Sequence, residues 1–269
     1  MIVVTGATGN VGRALVDTLA AAGEQVTAVS RRPAQVPDGV RHHSADLGDP
    51  ASLRPALDGA AALFLLVAGD DPHAILKQAA GVGRIVLLSS QGAGSRPEVY
   101  RHPALFERAV RESGADFTIL RPGGFASNAF AWAESIRTTR TAAAPFGDVG
   151  LPVIDPADIA EVAAAVLRGA GHAGRTYELT GPAPVTPRER AAAIGAALGE
   201  PVRFVEQTRE EARTQMLQVM PEPVVEGTLA ILGAPTAAER AVSPDVERVL
   251  GRAPRTFAEW AARNVPAFR

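Results

Sequence analysis

The feature that most limits what this chain can fold into lies near its N-terminus, in "VVTGATGNVGRALVDTLAAAG". Gly6, Gly9 and Gly12 are spaced three apart, directly after an apolar run at 2–5. They lead into residues 11–22, where Leu15 and Leu19 share one helical face. Glycines placed between a strand and a helix permit a tight turn, a close backbone approach to a pyrophosphate, and tight packing of helix on strand. The first N–H groups of the helix and the positive end of its dipole then face the phosphates. A flexible turn would account for the glycines alone. Strand before, helix after and an alternating continuation predict a phosphate cradle built from Gly6, Thr8, Gly9, Asn10, Val11 and Gly12.

The continuation is regular. Strand-like runs at 25–30, 40–45, 62–68, 84–89 and 117–121 alternate with helical patterns at 51–57, 74–80 and 104–113. Continuous apolar strands separated by helices imply a parallel sheet covered on both faces, a doubly wound α/β fold. After Arg121 the pattern loosens to a helix near 130–136, a turn at 146–150 and a helix at 157–167 begun by Asp155 or Pro156. A strand at 175–180 follows, and then a helix with Thr186 at its cap, Pro187 at its first position and Glu189 three residues on, a capping box. The remainder reads as a strand at 202–206, a helix at 208–220, and short helices at 244–250 and 257–264. The expected division is a dinucleotide-binding domain over 1–155, completed by about 156–180, and a smaller, mostly helical substrate-side region over 181–269.

Composition excludes several classes. The chain has 269 residues, 46% of them hydrophobic, enough for a sizeable core. A formal net charge of −2 leaves no basic footprint for direct nucleic-acid binding. No cysteine is present, which removes disulfides, thiol nucleophiles and cysteine metal sites. His42 and His43 lack partners at ligand spacing, so no metal is expected. No apolar run reaches the roughly 18 to 20 residues of a membrane span. The chain opens into a strand rather than a secretory signal, and a cytoplasmic monomer or homodimer acting on a small molecule is expected.

The second strand selects the dinucleotide. An acidic residue at its end would accept from the ribose 2′-hydroxyl of NAD, but this chain has Ser30, Arg31 and Arg32. A guanidinium pairs with a 2′-phosphate through charge-assisted contacts, so NADPH is expected ahead of NADH. Asp46 and Leu47 close the third strand and Val67 and Ala68 the fourth, at the carboxyl ends where open α/β sheets hold a nucleotide.

The remaining chemistry sits in "RIVLLSSQGAGSRPEVYRHPALFERAV". Ser89 and Ser90 close an apolar strand, and Tyr100 and His102 precede a helix. Each has two readings. The serines orient a polar group or end the strand; Tyr100 donates a proton or is a surface or lid tyrosine; His102 donates a proton or is a structural histidine before Pro103. The phosphate loop "TGATGNVG" resembles the extended and atypical branches of the short-chain dehydrogenase/reductase superfamily. That resemblance implies a Tyr-x-x-x-Lys pair after the fifth strand, in which the ammonium lowers the phenol's pKa. Here the position four after Tyr100 is Ala104, and Lys77, the only lysine, lies before that strand. The dyad is absent.

"HPALFERAVRESGADFTILRPGGFASN", "IDPADIAEVAAAVL", "YELTGP" and "LGRAPRTFAEWAARN" are similar to the NmrA-like atypical short-chain dehydrogenase/reductases. The likeness runs through nearly the whole chain, although His102 stands five residues before Glu107 where that branch often has four. It implies a Rossmann fold and two alternative roles. One is an NADPH-dependent oxidoreductase reducing a small electrophile (a quinone, enone or imine) without a Tyr–Lys dyad. The other is a non-catalytic NADP(H)-binding redox sensor acting through a protein partner. For the reductase, the expected catalytic residues are Ser89, Tyr100 and His102. Ser89, Pro122 and Phe125 are expected at the cofactor, and Gln91, Asn128, Phe130, Trp132 and Met216 at the substrate. For the bulky residues of this set, core packing is the competing reading.

Overall fold

The computed structural model describes residues 1–269. Its first half alternates β1 (Ile2–Thr5), α1 (Asn10–Ala21), β2 (Val26–Ser30), β3 (Arg41–Ser44), α2 (Arg54–Leu57), β4 (Ala62–Leu66), α3 (Pro72–Gln78), β5 (Arg84–Leu88), α4 (Gly92–Ser95), α5 (Arg101–Glu112) and β6 (Asp116–Pro122). Then follow α6 (Ala133–Thr139), β7 (Thr141–Pro145), α7 (Pro156–Arg168), β8 (Arg175–Leu179), α8 (Pro187–Leu198) and β9 (Arg203–Gln207). The chain closes with α9 (Arg209–Met216), α10 (Glu222–Gly233), α11 (Ala237–Arg240), α12 (Asp245–Leu250) and α13 (Phe257–Asn264).

Seven strands form one parallel sheet in the order β3-β2-β1-β4-β5-β6-β8. The order reverses between β1 and β4, the switch point where open α/β sheets bind ligands beyond their carboxyl ends. β1 and β2 are buried at every position, as strands covered on both faces must be. On one face α1 and α7 pack through Leu15, Leu19, Ile159 and Val162. On the other, α3 and α5 pack through Ile75, Leu76, Phe106 and Val110. The expected doubly wound fold is the observed one.

The second half differs in detail from the expected pattern. β7 and β9 pair parallel in a separate two-stranded sheet. A third apolar cluster joins Trp132, Ile136, Val153, Ile194, Phe257, Trp260 and Phe268, tying 126–153 to the C-terminal helices. The helix expected over 208–220 ends at Met216, and α10 follows where no element was expected. Pro221 caps α10 and Pro223 lies in its first turn, where a missing N–H breaks no helical bond. The capping box at Thr186 is present as expected, its hydroxyl accepting from Glu189 N–H while the Glu189 carboxylate accepts from Thr186 N–H.

Candidate active site

The phosphate loop is shaped by two close approaches. Gly6 has φ of 64°, and its carbonyl accepts from Gly9 N–H at 2.9 Å. A Cβ at Gly12 would stand 2.1 Å from the Gly6 carbonyl oxygen, so helix and loop meet only because residue 12 has no side chain. α1 begins without a side-chain cap and without an acid in its first turn. Its leading N–H groups are thus free for an anion. Val11 and Gly12 are buried beneath the loop, while Thr8 and Asn10 stand exposed on it. Asn10 Nδ2 donates to Ser127 Oγ at 3.1 Å, which ties the loop to the segment after β6.

Beside the loop lies a cleft of about 410 Å3 walled by Gly6, Thr8, Gly9, Arg31, Asp46, Leu47 and Ala68, among others. Seven of the expected cofactor residues meet there. Arg31 is exposed at its edge. Arg32 is not in the wall; its carbonyl accepts from Ser30 Oγ at 2.7 Å and fixes the turn. Val67 packs on the core of the second face instead. Gly69 has φ of 80°, and a Cβ there would lie 2.4 Å from the Leu47 carbonyl oxygen, so this cleft wall also requires glycine. A free guanidinium, a glycine cradle and uncapped helix N–H groups fit a dinucleotide with a 2′-phosphate.

The expected catalytic residues separate. Ser89 is buried and donates to Glu107 Oε1 at 2.7 Å. Its hydroxyl therefore serves a buried carboxylate on α5 rather than the cleft. Glu107 also accepts from Arg121 Nε at 2.8 Å and Nη2 at 2.7 Å, and from Arg111 Nη1 at 3.1 Å. Burial alone would raise this carboxyl, but the hydrogen bonds from Arg121 and Ser89 outweigh it and hold it below the usual carboxylate range. His102 is exposed at the start of α5, with Nε2 2.7 Å from the Gly69 carbonyl oxygen and its ring edge-on to Phe106. It pins α5 to the loop after β4 and lies outside the pocket described next.

That pocket, of about 220 Å3, opens at the carboxyl ends of β5 and β6. Ser90, Gln91, Tyr100, Pro122 and Asn128 line it, together with Gly92, Gly123, Gly124, Leu151, Pro152 and Glu239. Thr228, Ile231 and Leu232 of α10 complete it. Tyr100 is half-buried with its ring over Gly92, where a Cβ would stand 2.5 Å away. Burial raises the phenol above its ordinary pKa of 10.0, against a smaller lowering by Thr228. The phenol is protonated at neutral pH.

Four expected contacts fall elsewhere. Phe130 packs tilted on Trp260, centroids 5.0 Å apart, and stacks on Phe268 at 5.9 Å, beside the C-terminal helices. Trp132 is core, and its Nε1 donates to the Ala143 carbonyl at 2.8 Å. Met216 packs against Ala212, Val225 and Leu229. Phe125 packs on the core of the first face and bridges to Ile154. Of the pocket residues not anticipated, Thr228, Ile231 and Leu232 sit on α10, Leu151 and Pro152 beyond the turn after β7, Glu239 on α11, and Gly92, Gly123 and Gly124 past the ends of β5 and β6. The apolar "TLAIL" of α10 was the available signal, and the flanking prolines obscured it.

A sequence model described as NAD(P)H-binding matches residues 6–169. This chain belongs to that family. A Streptomyces griseus relative, a (4-alkanoyl-5-oxo-2,5-dihydrofuran-3-yl)methyl phosphate reductase, is 39% identical over 281 residues, covering 100% of this chain and 99% of its own. An NAD(P)H azoreductase of Xenophilus azovorans is 33% identical, with 100% and 99% covered. Among solved structures, the NADPH complex of an Escherichia coli NADPH-dependent quinone oxidoreductase matches with a TM-score of 0.81 at 26% identity, over 98% of this chain and 99% of that one. The NmrA-like resemblance and the expectation of a nicotinamide-dependent reductase agree with these relatives. No helix of the chain is long and apolar enough to cross a membrane.

Proposed function

We propose that this NAD(P)H-dependent reductase uses NADPH to reduce a small, uncharged, planar electrophile, a quinone, enone or imine, in the pocket between the ends of β5 and β6 and α10. The observation that carries the reading is the pocket's lining. It holds no basic side chain, and its one acid, Glu239, is committed to Arg96. An anionic substrate would enter without a cation to pair it, at a large desolvation cost.

Gly6, Gly9 and Gly12 would cradle the pyrophosphate, Arg31 would meet the 2′-phosphate, and Asp46, Leu47 and Ala68 would hold the adenosine end. Pro122 lines the pocket where β6 ends, and the nicotinamide would lie against it. When bound there, NADPH supplies the hydride. The Tyr100 hydroxyl, protonated at neutral pH, donates a hydrogen bond to the substrate oxygen or nitrogen, and Gln91 and Asn128 offer amide donors beside it. With no lysine to lower the phenol, Tyr100 orients and polarises. The proton that completes reduction of a quinone or enone comes from this hydroxyl or from water.

The test compares kcat/KM for a neutral naphthoquinone with that for its sulfonate or phosphate ester. We expect the neutral acceptor to be favoured by about 100-fold or more, the scale on which a pocket without a matching partner rejects one added polar group. Equal rates, or preference for the anion as the name of the Streptomyces relative suggests for that protein, would overturn this substrate class.

A further inference from the structure

The chain segment 91–96, which follows Ser90 and carries Gln91 into the pocket, also grips the segment 234–239 beyond α10. Arg96 Nε donates to Glu239 Oε1 at 2.7 Å and Arg96 Nη2 to Oε2 at 2.9 Å, a two-pronged ion pair. Ser95 Oγ donates to the same Oε1 at 2.9 Å, and the Thr236 N–H donates to Oε2 at 2.8 Å. Arg96 Nη2 reaches in addition the carbonyl of Ala234, the residue that ends α10, at 3.1 Å. The Glu239 side chain is 1% exposed and that of Arg96 18%. The pairs between α9 and α10, Arg213 with Glu222 and Glu226, lie by contrast on more open surface.

α10 is seated by close contact as well. A Cβ at Gly227 would stand 2.3 Å from Val99 Cγ1, and one at Gly233 2.7 Å from the Phe146 ring. The helix lies this low because those two residues have no side chain. Its Thr228, Ile231 and Leu232 then face the pocket, with Thr228 beside the Tyr100 phenol.

We infer that Arg96 and Glu239 form a latch that holds α10 as the movable wall of the substrate pocket, and that affinity for the electrophile depends on this latch being closed. They are positioning residues. One partner extends from the strand end that presents Ser90 and Gln91, and the other lies one short turn beyond the wall. Removing one partner of a buried, two-pronged pair leaves the other charge unsatisfied, so the latched arrangement loses its advantage over a released one. Apparent affinity falls by the fraction of molecules still latched. This inference rests on the reading of the pocket as the substrate site.

The test uses the full chain as Glu239→Gln and Arg96→Met, with Arg96→Lys as a milder variant that keeps charge but loses the fork. If loss of the latch leaves about one molecule in ten closed, KM for a neutral quinone rises about tenfold, with kcat at saturation within about threefold and NADPH affinity unchanged. Backbone amides over 222–239 exchange faster in these variants, with Arg96→Lys intermediate. Arg252→Met, which opens a remote ion-pair cluster with Asp158 and Glu161, lowers Tm without moving KM. Unchanged KM and unchanged exchange over 222–239 in folded latch variants would overturn the inference. So would a uniform loss of kcat, KM and NADPH affinity. Should no acceptor turn over at all, the functional reading fails, while the exchange measurement still decides the latch.

Discussion

In the proposed function, single residues carry the choice of cofactor and the mode of proton handling. Arg31 stands exposed in the cleft beside the phosphate loop, where a 2′-phosphate would meet it. Arg31→Asp is expected to weaken NADPH binding by about 10- to 100-fold, the worth of a charge-assisted hydrogen bond, while NADH affinity changes little. Titration of both cofactors checks this, and equal losses would remove Arg31 from the 2′-phosphate site. Tyr100 makes a second prediction. Its phenol is raised by burial, so its protonated form persists through neutrality and declines only as pH climbs past 10.0. Any rate that depends on this proton is flat from about pH 6 to 9, without the lower-pH limb that a lysine-assisted tyrosine would give. A kcat profile that rises with a midpoint near neutrality would assign the chemistry to another group. Ser89 shows what the sequence could not display: a serine at a strand end looks the same whether it faces a cleft or a carboxylate 18 residues away, and here it faces Glu107.

Elements with strictly local signals were legible. The glycine triplet, the continuous apolar strands and the Thr186 box each carry their structural cause within a few residues, and each is found where expected. β7 and α10 were not legible, for two physical reasons. "TAAAP" has little intrinsic preference for a strand and becomes one only by pairing with β9, about 60 residues away. α10 starts among prolines that elsewhere signal a break. Because α10 supplies Thr228, Ile231 and Leu232 to the pocket wall, the substrate residues were the part least readable, and Phe130, Trp132 and Met216 were drawn to it by size alone. The phosphate loop offers the sharpest element-scale prediction. Gly12→Ala places a methyl 2.1 Å from the Gly6 carbonyl oxygen, so α1 and the loop must separate. NADPH affinity should fall by about tenfold or more with the sheet intact, overpacking of this kind costing about 1–3 kcal/mol. Unchanged cofactor affinity in a folded Gly12→Ala protein would remove the loop from the cofactor site.

At the scale of the whole molecule, the parallel sheet brings the cradle, the arginine edge and the pocket to one side, the carboxyl ends of its strands. The helical C-terminal region closes that side through α10 and through the cluster around Trp260 and Phe268. With both reactants bound there, such an arrangement would exclude water and orient them, which is most of what a protein must add when the cofactor carries the reactive hydrogen. The central claim is therefore that reduction proceeds here without a tyrosine–lysine dyad. It is tested most directly by turnover of a neutral enone with NADPH deuterated at the transferring position of nicotinamide C4, for the wild-type chain and Tyr100→Phe, with the product weighed by mass spectrometry. We predict one deuterium on carbon per product in both proteins, with Tyr100→Phe slower by no more than about tenfold, the cost of one hydrogen bond. NADPH binding with no deuterated product, or complete loss of turnover in Tyr100→Phe, would contradict the account.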